Sequence, residues 1–148
     1  MKTTSNWTWL FPFSYALHIA EEYWGGFYLW LSDLSGADLS REDFLLLNGI
    51  AFVVMTAGVA IGSMRPGARW LLAGFGTVVL VNSLLHIGGS MLTRSYSPGV
   101  VTGTVLWLPL GLYALRRVRR EVSAGRFAAG IMLGIALHLL VTALAMVS

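Results

Sequence analysis

Apolar stretches long enough to cross a bilayer follow one another along most of this chain, and they leave few folds open. A transmembrane helix takes about 20 predominantly apolar residues. Five such stretches can be marked, at residues 7–31, 40–64, 68–92, 97–115 and 127–146. Short polar connections separate them, as expected of consecutive helices in a bundle. Charged residues make up only 11% of the chain, against about a quarter in soluble domains. The mean hydropathy is +0.71. The expected fold is therefore all-α: an integral membrane bundle of five transmembrane helices forming a single domain, 1–148. The first stretch holds two glutamates and has no small-residue cleavage site, so it reads as a retained span. There is no cysteine, which excludes disulfides and thiolate metal sites.

Local signals place the helix ends. Ser40 is a candidate N-cap, with Glu42 and Asp43 in the first turn. Arg65-Pro66-Gly67 reads as a tight turn, and Ser97-Pro98 as a cap with a first-turn proline. Pro109 should kink the fourth helix and free the Val105 carbonyl, and Gly25-Gly26 is a candidate bend in the first. Lys2, Arg65, Arg69, Arg116, Arg117, Arg119, Arg120 and Arg126 fall on one side of such a bundle and only Arg41 and Arg94 on the other. Eight against two puts the N-terminus inside and the C-terminus outside. A pI near 9.7 would suggest a nucleic-acid partner, but the arginines cluster between two spans and read as a topology signal, so none is expected.

Within the first stretch stand His18, Glu21 and Glu22. Ionisable groups at membrane depth cost roughly 2.5–3.5 kcal/mol each on insertion scales and mark functional sites. On a helix Glu21 lies about 60° to one side of His18 and Glu22 about 40° to the other, so one face carries all three. Asn82 and His86, four apart, share a face of the third helix. Glu22 and Asn82 lie about 21–23 Å along two helices that run outward. Asn48, Tyr96 and Thr102 fall in the same outer half, with His138 nearer the midplane. One polar site in the outer half of the bilayer is the economical reading.

Two chemistries suit it. In the first, His18, Glu22 or Glu21, and His86 hold one divalent metal, zinc or iron, and Asn82 or the second glutamate serves as outer-shell partner or general base. In the second, Glu21, Glu22 and His18 act without metal as acid and base on a lipid-like substrate, with Asn82 beside them. An enzyme acting on a membrane lipid or apolar small molecule is the leading expectation. A carrier of a metal, proton or amphiphile is the alternative, and a structural polar network the third reading. Asn48, Tyr96, Thr102 and His138 are accessory candidates. Trp24, Trp30, Trp70 and Trp107 read as interface or lipid-facing aromatics. Nothing in the sequence indicates an oligomer.

His18-Ile19-Ala20-Glu21-Glu22 resembles the signature of the HXXEE-domain proteins, small multi-spanning bacterial membrane proteins. Asn82-x-x-x-His86 and Tyr96-Ser97-Pro98-Gly99-x-x-Thr102 are similar to later segments of that family. The resemblance implies a bacterial plasma-membrane location and the same choice of residues. The family's function is unknown, so it implies no activity.

Overall fold

The computed structural model describes residues 6–147, and among these there is no strand. A 3-10 turn (Asn6–Trp9) leads into α1 (Leu10–Gly25), followed by α2 (Phe27–Ser35), α3 (Arg41–Met64) and α4 (Trp70–Thr93). Then come α5 (Val100–Thr102), a π-helical segment (Gly103–Trp107), α6 (Leu108–Arg119) and α7 (Ala124–Val147). Three helices are long and apolar enough to cross a membrane: Arg41–Met64, Pro66–Thr93 with its leading 3-10 turn, and Ala124–Val147.

The remaining two stretches are broken, each for a local reason. The expected continuous helix over 7–31 stops at Gly26, whose φ of 75° is left-handed, and α2 starts anew beyond it. The fourth helix does not begin at Ser97-Pro98. It begins after Gly99, and a π turn occupies Gly103–Trp107 just ahead of Pro109. Leu108 N–H reaches back to the Gly103 carbonyl there, a wider turn than the α-helical one. The signal at Ser40 holds: its hydroxyl accepts the Asp43 N–H at 3.0 Å and donates to the Asp43 carboxylate at 2.6 Å.

α4 lies at the centre of the bundle. A Cβ on Gly134 of α7 would strike the Gly74 carbonyl and lie 2.6 Å from Thr77 Cβ, and one on Gly130 would lie 2.9 Å from Ala73 Cβ. The two backbones therefore touch, which only small residues permit. The contacts advance together along both chains, so α4 and α7 run parallel. α3 runs antiparallel to α4, with Gly58 against Phe75 and Gly62 against Leu72. Phe11, Met55, Val59, Leu72, Phe75 and Val79 fill the space between α1, α3 and α4.

The Asn6–Trp9 turn, the end of α3, the start of α4 and the end of α6 meet at one end of the bundle. Thr8 Oγ1 lies 2.8 Å from Ser63 Oγ, Trp7 packs edge-on against Tyr113, and Arg69 pairs with Glu121. Arg117 Nε also donates to Glu121 at 2.7 Å. Burial pushes the Glu121 carboxyl up, but Arg69 and Arg117 outweigh it and hold it below the usual carboxylate range. A carboxyl held low in the folded protein contributes stability above its unfolded pKa of about 4.3. That contribution is lost as pH falls through the lower folded value. The Tm difference between the wild type and Glu121→Gln should thus be largest at about pH 5–7 and shrink below about pH 4. A difference constant across thermal melts from acid to neutral pH would contradict this pairing.

Candidate functional site

α1 supplies His18 and Glu22, one helical turn apart, and α4 supplies His86. Glu22 Oε1 stands 3.5 Å from His18 Nε2 and 3.2 Å from His86 Nε2. All three residues are buried, and their ligand atoms lie within 4.8 Å of one another. Ligand atoms about 2.0–2.1 Å from a tetrahedral ion are about 3.3 Å apart. The spacing around Glu22 Oε1 is close to that.

The outward nitrogens of both rings are held by hydroxyls. His18 Nδ1 is 2.7 Å from Thr102 Oγ1, and His86 Nδ1 is 3.1 Å from Ser97 Oγ. Thr102 spends its only proton on Glu21 Oε2 at 2.5 Å. His18 Nδ1 therefore donates to Thr102, and in the neutral ring this leaves Nε2 as a lone pair. That lone pair is enclosed, has no hydrogen-bond partner among the described residues, and faces a carboxylate oxygen. With a neutral ring two acceptors face each other, and either a metal ion between them or a proton on Nε2 satisfies both. Ser97 can turn its hydroxyl either way and suits His86 in either tautomer.

Packing fixes the rings. Trp107 stacks on His18 with centroids 3.8 Å apart, and its Nε1 donates to Ser14 Oγ at 3.1 Å. Trp107 is only 2% exposed, which corrects the expectation of an interface or lipid-facing aromatic. The π turn ends at this residue, and such turns shift the register of the side chains beyond them. Gly99 covers the site from the other side. It has φ 98°, and a Cβ there would lie 2.7 Å from His86 Cε1 and 2.9 Å from His18 Cε1.

A family model described as a protein of unknown function with an HXXEE motif matches residues 9–114. The chain belongs to this family. No curated protein and no solved structure is a match for it.

The two glutamates of the HXXEE motif part company. Glu22 meets the histidines, while Glu21 turns to the connection before α5. There it accepts Tyr96 O–H at 2.8 Å and the N–H groups of Gly99, Val101 and Thr102 at 3.2, 3.0 and 2.7 Å. A carboxylate on another helix thus caps the first turn that Ser97 was expected to cap. Tyr96 and Thr102, both accessory candidates, belong to this cap, and Thr102 joins it to His18. Burial and Glu21 push the Tyr96 phenol up to about 12, so it stays a donor.

The three residues open onto a cavity of about 640 Å³ whose floor is α4 and whose walls are α3 and α7. Asn48, Asn82 and His138 line it too, in an otherwise mostly apolar surface. Asn48 Oδ1 accepts Tyr15 O–H at 2.9 Å, and its amide donates to the Phe44 carbonyl at 3.1 Å. Asn82 Oδ1 and His138 Nε2 are enclosed and have no partner among the described residues. Trp107, Ser97 and Gly99 also belong to the site, although Trp107 reads from the sequence as an interface aromatic and Ser97 as a helix cap. The Ser-Pro-Gly run was a usable signal for Ser97 and Gly99, whereas Trp107 had none.

Proposed function

We propose that this HXXEE protein is an integral membrane metalloprotein that binds one divalent ion, zinc or iron, through His18, Glu22 and His86, and acts on an apolar or lipid-like small molecule in the adjoining cavity. The observation that carries this reading is the buried convergence of His18 Nε2, Glu22 Oε1 and His86 Nε2, whose ligand atoms lie within 4.8 Å of one another. A two-histidine, one-carboxylate set leaves coordination positions open to substrate. Such an ion supplies Lewis acidity that polarises an oxygen of the substrate. The chain itself orients the ligands through Thr102, Ser97 and Trp107, and it excludes water with Gly99 and the apolar walls. Glu21, engaged by five donors, positions the 99–102 turn; it is not free to take a proton. The divergence of the two carboxylates favours the metal reading over an acid–base pair.

Elemental analysis of protein purified from membranes tests the proposal. About one equivalent of zinc or iron per chain is expected. A protein that holds no transition metal, and takes up neither ion when supplied, would end it. A stoichiometric metal with no turnover of any amphiphile would instead favour a carrier.

We also propose that all five helical passes cross the bacterial plasma membrane, with the arginine-rich end cytoplasmic and the metal site in the outer half. The eight-to-two distribution of Lys and Arg supports this orientation. So does the meeting of the Asn6–Trp9 turn with the ends of α3 and α6. Reporter fusions should find the N-terminus inside and the C-terminus outside. Both termini on one side would exclude the arrangement.

A further inference from the structure

We infer that the ligand of this cavity is a membrane-dissolved long-chain alcohol, its hydroxyl held between Asn82 and His138 beside the metal-binding trio. The inference rests on the metal-site reading and adds to it the class of the ligand. Buried polar groups are nearly always paired, and an orphan is destabilising. Here Asn82 Oδ1 and His138 Nε2 are both enclosed and both without a partner among the described residues. Both line the cavity that His18, Glu22 and His86 also line.

Register brings the two orphans to about the same level of the bundle. α4 and α7 run parallel, with Gly134 opposite Gly74 and Thr77. One turn further along each helix, His138 comes to the level of about residues 78–81, next to Asn82. Asn82 in turn is one turn, about 5.4 Å, from His86. A head group seated between Asn82 and His138 therefore lies beside the trio.

The chemistry of that head follows from its partners. Asn82 Oδ1 requires a donor. A hydroxyl supplies one and can also accept, which serves His138 Nε2 in either tautomer. Ethers and esters only accept and would leave Asn82 orphaned. No Lys or Arg lines the cavity, so an anionic head would lack a counter-charge. The body must be apolar, and 640 Å³ lies within the range of about 300–1,000 Å³ typical of small-molecule sites.

The route is lateral. The cavity is a cleft between α3 and α7, and its walls at Ile50, Val54 and Leu140 and its floor at Leu85 are each about half exposed. α3 and α7 are both long and apolar enough to cross a membrane. In a bilayer this cleft faces lipid, and a membrane-dissolved chain can slide in without passing through water.

The test uses the full-length metal-loaded protein in detergent with dodecan-1-ol and its methyl ether, 1-methoxydodecane, as probes. Binding is read by thermal shift, and metal content is measured in parallel. The alcohol should bind about tenfold more tightly than the ether, the worth of one buried hydrogen bond. Asn82→Leu and His138→Leu should each reduce that preference and keep their metal. Asn82→Leu should also raise the Tm of the probe-free protein, because it removes an orphaned acceptor. Equal affinity for alcohol and ether, or no binding of either, overturns the inference and leaves the metal site standing. A preference that survives both leucine variants overturns the assignment to Asn82 and His138. A protein without metal overturns the metal-site reading alone, and the alcohol preference then decides this inference by itself.

Discussion

Alanine in place of either His18 or His86 is expected to abolish metal retention while the bundle stays folded. Losing an outer-shell partner already costs about 10–100-fold in metal affinity, so losing one of three protein ligands should exceed about 100-fold. His86→Ala removes the one member of the trio outside α1, and His18→Ala removes the nitrogen that stands 3.5 Å from Glu22 Oε1. Neither change touches the α4–α7 backbone contact that organises the bundle, so helicity should persist. Metal uptake by the wild type should release protons and weaken in acid, because the ligating forms are neutral imidazole and carboxylate. Metal content by elemental analysis together with circular dichroism separates the outcomes. Full metal retention in both variants would place any bound metal elsewhere, and loss of helicity would make these residues structural.

Glu21→Gln and Glu22→Gln should fail in opposite ways, although the two residues are neighbours. Glu21 accepts five hydrogen bonds, three of them from backbone N–H groups at the start of α5. An amide keeps one acceptor oxygen and turns an NH₂ group toward the remaining donors. Bonds to a charged acceptor are worth about 1.5–3 kcal/mol each where buried. Glu21 is partly exposed, so a total loss of about 2–4 kcal/mol is the discounted expectation. Glu22→Gln should lose the metal yet leave the metal-free protein as stable or more so. It removes a buried charge, and the new amide can donate to His18 Nε2. Metal content and the Tm of the metal-free protein should therefore vary independently across the pair. If both variants lose metal and stability in parallel, the division of labour between the two carboxylates is wrong.

His18 and Glu22 share a face because they are four apart on a helix, and Asn82 and His86 do so for the same reason. These relations, like the Ser40 cap and the tight turn at Pro66, depend on neighbours along the chain and were legible from spacing alone. So was membership of the HXXEE family. The break at Gly26 was visible only as a candidate bend. The direction of the chain beyond it depends on where α2 packs, with Phe27 against His86 and Trp30 against Gly89.

Which carboxylate meets the histidines was not legible. Glu21 and Glu22 sit on either side of His18 by angles of about 60° and 40°, too similar to choose between them until α4 and the 94–102 connection are placed. The stacking of Trp107 on His18 and the cover of Gly99 over the His18 ring join segments more than eighty residues apart. Local periodicity fixes the azimuth of a side chain on its own helix. The partner it meets is set by the close approach of α4 to its neighbours and by the end of α1 against Pro98, where Gly25 leaves no room for a Cβ. The sequence by itself therefore determined the three long helices and most of the residues that could do chemistry. Only the tertiary packing decided that Glu22 faces the histidines and Glu21 holds the turn that covers them.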